Sequence, residues 1–334
     1  MVEYEFYMNL ALDYAWESQA LALPNPSVGA LILDRFNSIV ALKSHTQFGD
    51  CHAELLACKE AYKTLSKDNR IDKLKQPQEI YEFLVKNHNG IFRDTSIFVT
   101  LEPCSHYGKT PSCASLLSIL KPKRVIISSL ESNKIASGGI EVLQKSGIRV
   151  VSKILENRGR DLLFPFLCMQ KKGSFCIYKI AQNLNGSFEG GIISSLDSRI
   201  YSHKLRNIAN RIIISQKTLL NDNSLLDSRL INGKAPDVCV LGRENRITKD
   251  LKVFSIPNRK VSFFESVEQI PKNGFSIVEG GAEMFESFEN IVDCNLFFIA
   301  PRISSGKSLK TDFSGRILHN TKSGEDILLW IQKD

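Results

Sequence analysis

Apolar residues recur along this chain at two different periods. Tyr7, Leu10, Ala11, Tyr14 and Ala15 are spaced three or four apart, which predicts an amphipathic helix from about Glu3 to Ser18. The runs Ala30-Leu31-Ile32-Leu33, Ser96-Ile97-Phe98-Val99-Thr100, Arg124-Val125-Ile126-Ile127-Ser128-Ser129 and Ile148-Arg149-Val150-Val151 are short and rich in branched side chains, so they read as strands. Between them, Leu55, Leu56, Cys58 and Ala61 mark a helix opening at His52, and Ser115–Leu120 and residues 139–146 mark two more. Strands alternating with helices predict an α/β fold, an open sheet with helices on both faces.

A second set of elements begins near Phe175. Cys176–Gln182 is a β-rich run ending in the turn Asn183-Leu184-Asn185-Gly186, and Arg211–Ser215 is a buried strand. Ser276-Ile277-Val278-Glu279 is a strand that runs into Gly280-Gly281-Ala282-Glu283, where glycines precede a helix. A backbone of this kind lets a phosphate approach its N–H groups, although it lacks the Gly-x-Gly-x-x-Gly dinucleotide fingerprint. A helix from about Leu155 to Lys171 joins the two sets. The expected domains are therefore 1–156 and 157–334. The polar stretch 65–93 carries an apolar stripe of Ile80, Phe83 and Leu84, so an inserted surface helix is expected there.

Composition narrows the class. A chain of 334 residues with 43% hydrophobic and 24% charged residues fits two ordinary globular domains. No apolar run approaches the ~20 residues that span a bilayer, and the acidic start Met1-Val2-Glu3-Tyr4-Glu5 is unlike a signal peptide. A cytoplasmic location without membrane contact is the expectation. The net charge of +7 comes without a dense basic block, which suits anionic small molecules at least as well as nucleic acid. A single-strand nucleic-acid deaminase would need stacking aromatics along a basic groove, and only scattered Lys and Phe occur. The eight cysteines lack the spacing of a disulfide framework; Cys51, Cys58, Cys168, Cys176, Cys239 and Cys294 read as reduced core thiols.

The chemistry concentrates in two pieces, Cys51-His52-Ala53-Glu54 and the run from Thr100-Leu101-Glu102-Pro103-Cys104 to Pro111-Ser112-Cys113. One imidazole and two thiolates, from His52, Cys104 and Cys113, can hold Zn2+ in three of its four tetrahedral positions and leave one for water. Glu54 follows the histidine at the spacing of a proton shuttle that is not itself a ligand. Two helix starts facing one metal would favour thiolate over thiol. On the residues alone two other readings stay open: ordinary buried thiols, or a closed structural zinc site completed by Cys51 or Cys58.

Eight residues separate Cys104 from Cys113, where zinc deaminases in general carry Pro-Cys-x-x-Cys. This longer loop, with the ordered set Lys-x-Ala, Thr-Leu-Leu-x-Asp, an arginine seven residues on, and Glu-Gly-Gly, resembles the bifunctional deaminase/reductase family of riboflavin biosynthesis over nearly the whole chain. The resemblance implies a cytidine-deaminase-like three-layer α/β/α domain followed by a dihydrofolate-reductase-like α/β domain. It implies zinc hydrolysis of a phosphorylated diaminopyrimidinone, then NADPH reduction of its ribosyl chain, in a homo-oligomer.

Carried over residue by residue, Glu54 is catalytic and His52, Cys104 and Cys113 are the ligands. Asn25, His45 and Lys109 would contact the deaminase substrate; Arg206, Leu226, Arg229 and Glu279 would contact the reductase substrate. Ala181, Thr218, Asp222, Gly281, Ala282, Glu283 and Met284 would line the NADPH site. The chain departs from the family at Glu131-Ser132-Asn133-Lys134, where the family has Asp-Pro-Asn-Pro. It departs again at Asn183-Leu184-Asn185-Gly186, within Ile193–Ser202, and at Asp222-Asn223-Ser224, where Asp-x-Pro is usual. A deaminase whose second half has lost reduction is the alternative.

Overall fold

The computed structural model describes residues 2–333 apart from 107, 109, 110, 132–136, 245 and 246. The chain divides into two compact units, Met1–Phe166 and Leu167–Asp334, and the division falls inside the helix Glu156–Lys172. The boundary expected near residue 157 lies at the start of that helix. Among the described residues no helix is long and apolar enough to cross a membrane.

The first unit is built on five strands: β1 (Gly29–Leu33), β2 (Ile39–Ser44), β3 (Ser96–Leu101), β4 (Arg124–Ser129) and β5 (Arg149–Val151). Their order is β2-β1-β3-β4-β5; β1 pairs antiparallel with β2 and β3, whereas β3, β4 and β5 run parallel. Every residue of β1 and β3 is buried, the mark of strands covered on both faces. Helices α1 (Val2–Trp16), α2 (Ala53–Ser66), α3 (Pro77–Asn87), α4 (Cys113–Leu120) and α5 (Gly139–Lys145) supply the cover, followed by α6 (Glu156–Lys172). The inserted surface helix is α3. Pro77 at its first turn and a Gln76/Glu79 capping box start it, and Ile80 and Leu84 are the buried side of its apolar stripe.

The second unit carries eight strands in the order β12-β13-β11-β6-β10-β7-β8-β9. These are β6 (Ser174–Asn183), β7 (Arg211–Ser215), β8 (Asp237–Leu241), β9 (Val261–Phe264), β10 (Gly274–Glu279), β11 (Cys294–Ala300), β12 (Gly315–Ser323) and β13 (Asp326–Lys333). The pairings from β11 through β6, β10, β7 and β8 to β9 are parallel, and β13 and β12 close the other side antiparallel. Helices α7 (Leu196–Ile208), α8 (Gln216–Asp222) and α9 (Ala282–Phe288) connect the parallel strands. Met284, Phe285 and Phe288 of α9 join Tyr178, Val278 and Phe297 in one core cluster. Burial of each such side chain is worth about 1.5–3 kcal/mol. The stretch Ile193–Ser202 forms the entry and first half of α7.

Candidate functional site

In the first unit both chemical motifs sit at element ends. His52 is the N-cap of α2, so Glu54 falls in that helix's first turn, and Cys113 opens α4 behind the N-cap Ser112. Cys104 follows the end of β3 and is tied to α4: its carbonyl accepts from Ala114 N at 3.1 Å and from Ser112 Oγ at 2.9 Å, and its Sγ accepts from Cys113 N at 3.4 Å. This brings three donor atoms within 4.8 Å of one another, one each from His52, Cys104 and Cys113. His52 Nδ1 lies 3.7 Å from Cys104 Sγ and 3.5 Å from Cys113 Sγ.

Those separations fit zinc. Zn–S bonds of about 2.3 Å and Zn–N bonds of about 2.05 Å at tetrahedral angles put nitrogen and sulfur roughly 3.6 Å apart. Cys51 and Cys58 are not in the donor group, which leaves the closed four-ligand alternative without support among the described residues. Hydrogen bonding divides the protons between the thiols: Cys113 donates to Cys104 and holds the Cys104 thiol well below its ordinary value, while Cys113 itself is pushed up. Burial would depress His52, but its contact with Cys104 and the charge of Glu54 lift it.

Glu54 is 4% exposed, and burial pushes its carboxyl above the ordinary range although His52 opposes this. It lines a cavity of about 370 Å³ together with His52, Cys104, Asn25 and His45. His45 Nδ1 is 3.0 Å from the Cys51 carbonyl, which requires the proton on that nitrogen, and its Nε2 is 3.4 Å from Asn25 Nδ2. Burial lowers the pKa of His45, so the ring is neutral and accepts from the Asn25 amide. The two expected substrate residues therefore form one unit. Lys109 lies outside the described residues.

Sequence reasoning missed Glu102, which ends the strand run before Pro103. Its carboxylate accepts from Glu131 N at 3.2 Å and from Gly138 N and Ile140 N at 3.1 Å each, capping α5 beside the cavity. Gly139 is required here, because a Cβ on it would stand 1.9 Å from the Pro103 carbonyl oxygen. No local spacing links position 102 to position 138, so only the fold could reveal the cap.

In the second unit a cavity of about 620 Å³ gathers Ala181, Thr218, Asp222, Glu279, Gly281, Ala282, Glu283 and Met284. All seven expected cofactor positions are among these. The turn is pinned by Tyr178, whose hydroxyl donates to Gly280 O at 2.7 Å. Gly280 has φ +152°, and a Cβ there would meet the Met284 side chain at 2.7 Å. The following α9 is only seven residues long, which keeps its helix dipole small.

Arg206, Leu226 and Arg229 do not line this cavity. Arg206 makes a bidentate pair with Glu279, Nη2 donating to Oε2 at 2.8 Å and Nε to Oε1 at 3.3 Å, with both side chains largely shielded. Arg229 Nη1 is 2.5 Å from Asp227 Oδ1 and is half exposed. Leu226 is buried with φ +51°. His203, on the same helix as Arg206, is pushed down to about 4 by burial and by the nearby arginines. Lys179 also lines the cavity; burial depresses its ammonium while Glu279 opposes that. Phe188, Glu189, Lys307 and Lys310 line it too, and none of these was singled out from the sequence.

Residues 1–129 match the family model described as the cytidine and deoxycytidylate deaminase zinc-binding region. The riboflavin biosynthesis protein RibD of Bacillus amyloliquefaciens is 27% identical over 95% of this chain and 90% of its own length. The RibD of Aquifex aeolicus is 26% identical over 98% of each. The crystal structure of a diaminohydroxyphosphoribosylaminopyrimidine deaminase/5-amino-6-(5-phosphoribosylamino)uracil reductase from Thermotoga maritima superposes with a TM-score of 0.68 at 25% identity, covering 99% of both chains. The similarity to the bifunctional deaminase/reductases of riboflavin biosynthesis thus runs through both halves of the chain, and not through the zinc half alone.

Proposed function

We propose that unit 1 deaminates a diaminopyrimidinone ribosyl phosphate and that unit 2 reduces the ribosyl chain of the product with NADPH, giving a ribitylaminouracil phosphate. The convergence of His52, Cys104 and Cys113 beside the buried Glu54 carries this reading. His52 Nδ1 and the two sulfurs would hold zinc, which when bound supplies a Lewis acid that makes water nucleophilic near neutral pH. Glu54 would move the proton, from the attacking water to the ring nitrogen and then to the departing amine. Its raised carboxyl suits a group that must both take and give a proton. Asn25, oriented by neutral His45, would hold the substrate in the cavity.

In unit 2, NADPH supplies the hydride. Thr218, Asp222 and the Gly281–Met284 turn would bind it. Glu279 and Lys179 face the same cavity and would present opposite charges to the sugar hydroxyls. Arg229, with Leu226 beside it, would grip the phosphate as a guanidinium fork. Arg206, committed to Glu279, would support that carboxylate.

The test uses the full chain. Zinc near one per chain by elemental analysis, ammonia release from the diaminopyrimidinone, and loss of NADPH absorbance with the deaminated intermediate are expected together. Ammonia release without NADPH oxidation would reduce the second unit to a scaffold.

A further inference from the structure

We propose that Arg259 is a positioning residue for the reductase, fixing the segment that presents Arg229 to the substrate phosphate; the inference rests on the phosphate role given to Arg229 above. Between α8 and β8 the chain runs through Asn223-Ser224-Leu225-Leu226-Asp227-Ser228-Arg229 with no strand ladder and no proline to stiffen it. Polar backbone groups in such a segment must be satisfied by side chains or water. Arg259, between Asn258 and β9, does this from a remote part of the chain. Its Nη1 donates to Leu226 O at 3.0 Å, and its Nη2 donates to Leu225 O and to Val253 O, each at 2.6 Å.

Leu226 has φ +51°, in the left-handed region that a branched apolar residue rarely adopts. That conformation turns the carbonyls of residues 225 and 226 toward one guanidinium. A return to negative φ would rotate the 225–226 peptide and take Leu225 O off Nη2. Strained geometry of this kind persists only where the surroundings over-determine it.

The consequence reaches the next residues directly. Asp227 follows, its carbonyl accepts from Arg206 Nη1 at 3.4 Å, and its carboxylate holds the Arg229 guanidinium at 2.5 Å. Farther along, His203 Nδ1 accepts from Leu230 N at 3.4 Å. The direction in which Arg229 is offered is therefore set by the peptide that Arg259 clamps. A planar fork with donors on two nitrogens can bridge both carbonyls, which a lysine ammonium cannot reproduce.

The test compares Arg259→Gln, Arg259→Lys and Arg229→Ala in the full chain, with NADPH oxidation measured on the deaminated intermediate and on the same compound lacking its phosphate. For the phosphorylated substrate, Arg259→Gln is expected to raise KM about tenfold, equivalent to about 1.4 kcal/mol, with kcat within about twofold. Arg259→Lys should recover little of this, and KM for the compound lacking phosphate should be unchanged. An unchanged KM in the Gln variant, an equal rise for both compounds, or loss of turnover in both Arg259 variants overturns the proposal. If Arg229→Ala leaves KM unaltered, the phosphate assignment itself fails. If Arg229→Ala raises KM and the Arg259 variants do not, only the positioning role falls.

Discussion

In the first unit three donor atoms from residues 52, 104 and 113 converge within 4.8 Å. The pocket of the second unit draws instead on β6, the β7–α8 and β10–α9 junctions, and the segments around residues 188 and 307. The difference is one of how much chemistry a single atom carries. A metal site depends on a few atoms at bond-length precision, so one substitution removes an entire step. The reductase pocket spreads binding over many backbone and side-chain contacts, with Glu279 in its wall and paired to Arg206 outside the lining, so single changes there should give graded losses of affinity or stability.

The contrast is sharpest at Glu54. Glu54→Gln should lower ammonia release by about 10²–10⁴, the usual worth of a positioned acid or base, while zinc content and NADPH oxidation stay at parental levels. A variant that released ammonia within tenfold of the parent would move the shuttle to another group and blur the distinction between the pockets.

Arg206→Ala tests the support of Glu279, which lines the second pocket. Glu279 would be left as a shielded carboxylate without its bidentate partner. Breaking such a pair costs about 3 kcal/mol, near the low end for buried pairs. The unfolding transition of the second unit should shift to lower urea, and zinc content and deamination should not change. An unmoved transition would show that Lys179 alone neutralises Glu279.

The smallest effect concerns pH. Burial pulls the Glu279 carboxyl up, but Arg206 and Lys179 outweigh it, and the group ends below its ordinary value of 4.5. Because the folded-state value is depressed, the unfolded chain takes up this proton first as pH falls. The stabilisation is thus complete above 4.5 and is lost as pH drops through the lower folded value. The stability difference between parent and Glu279→Gln should shrink over that window. A difference constant across it would mean that the carboxylate is not paired in solution.

The zinc site was legible because its information is local. His52 and Glu54 lie two apart, Cys104 and Cys113 flank one loop, and each sits at an element end that hydrophobic periodicity marks. The apolar stripe of the insertion likewise announced α3. Thr218, Asp222 and the Gly281–Met284 turn, which the resemblance singled out, line one cavity of the second unit, and of these only the glycine turn before a helix carries a local signal of its own.

Other features had no local signal. Glu102 caps a helix start 36 and 38 positions away, and Arg206 meets Glu279 across 73. Arg206 occupied a plausible place for a phosphate ligand, yet its guanidinium is taken up by a carboxylate that strand order brings beside it.

By itself the sequence determined which side chains can hold a metal, where strands and helices begin, and that the chain carries two sets of elements. Ligand type and backbone period are properties of a residue and its near neighbours. Only the tertiary structure decided which charges are already paired, which carbonyls Arg259 clamps, and that Leu226 is held in a left-handed conformation. Those outcomes depend on sheet order and on the satisfaction of buried polar groups, which distant segments settle between them.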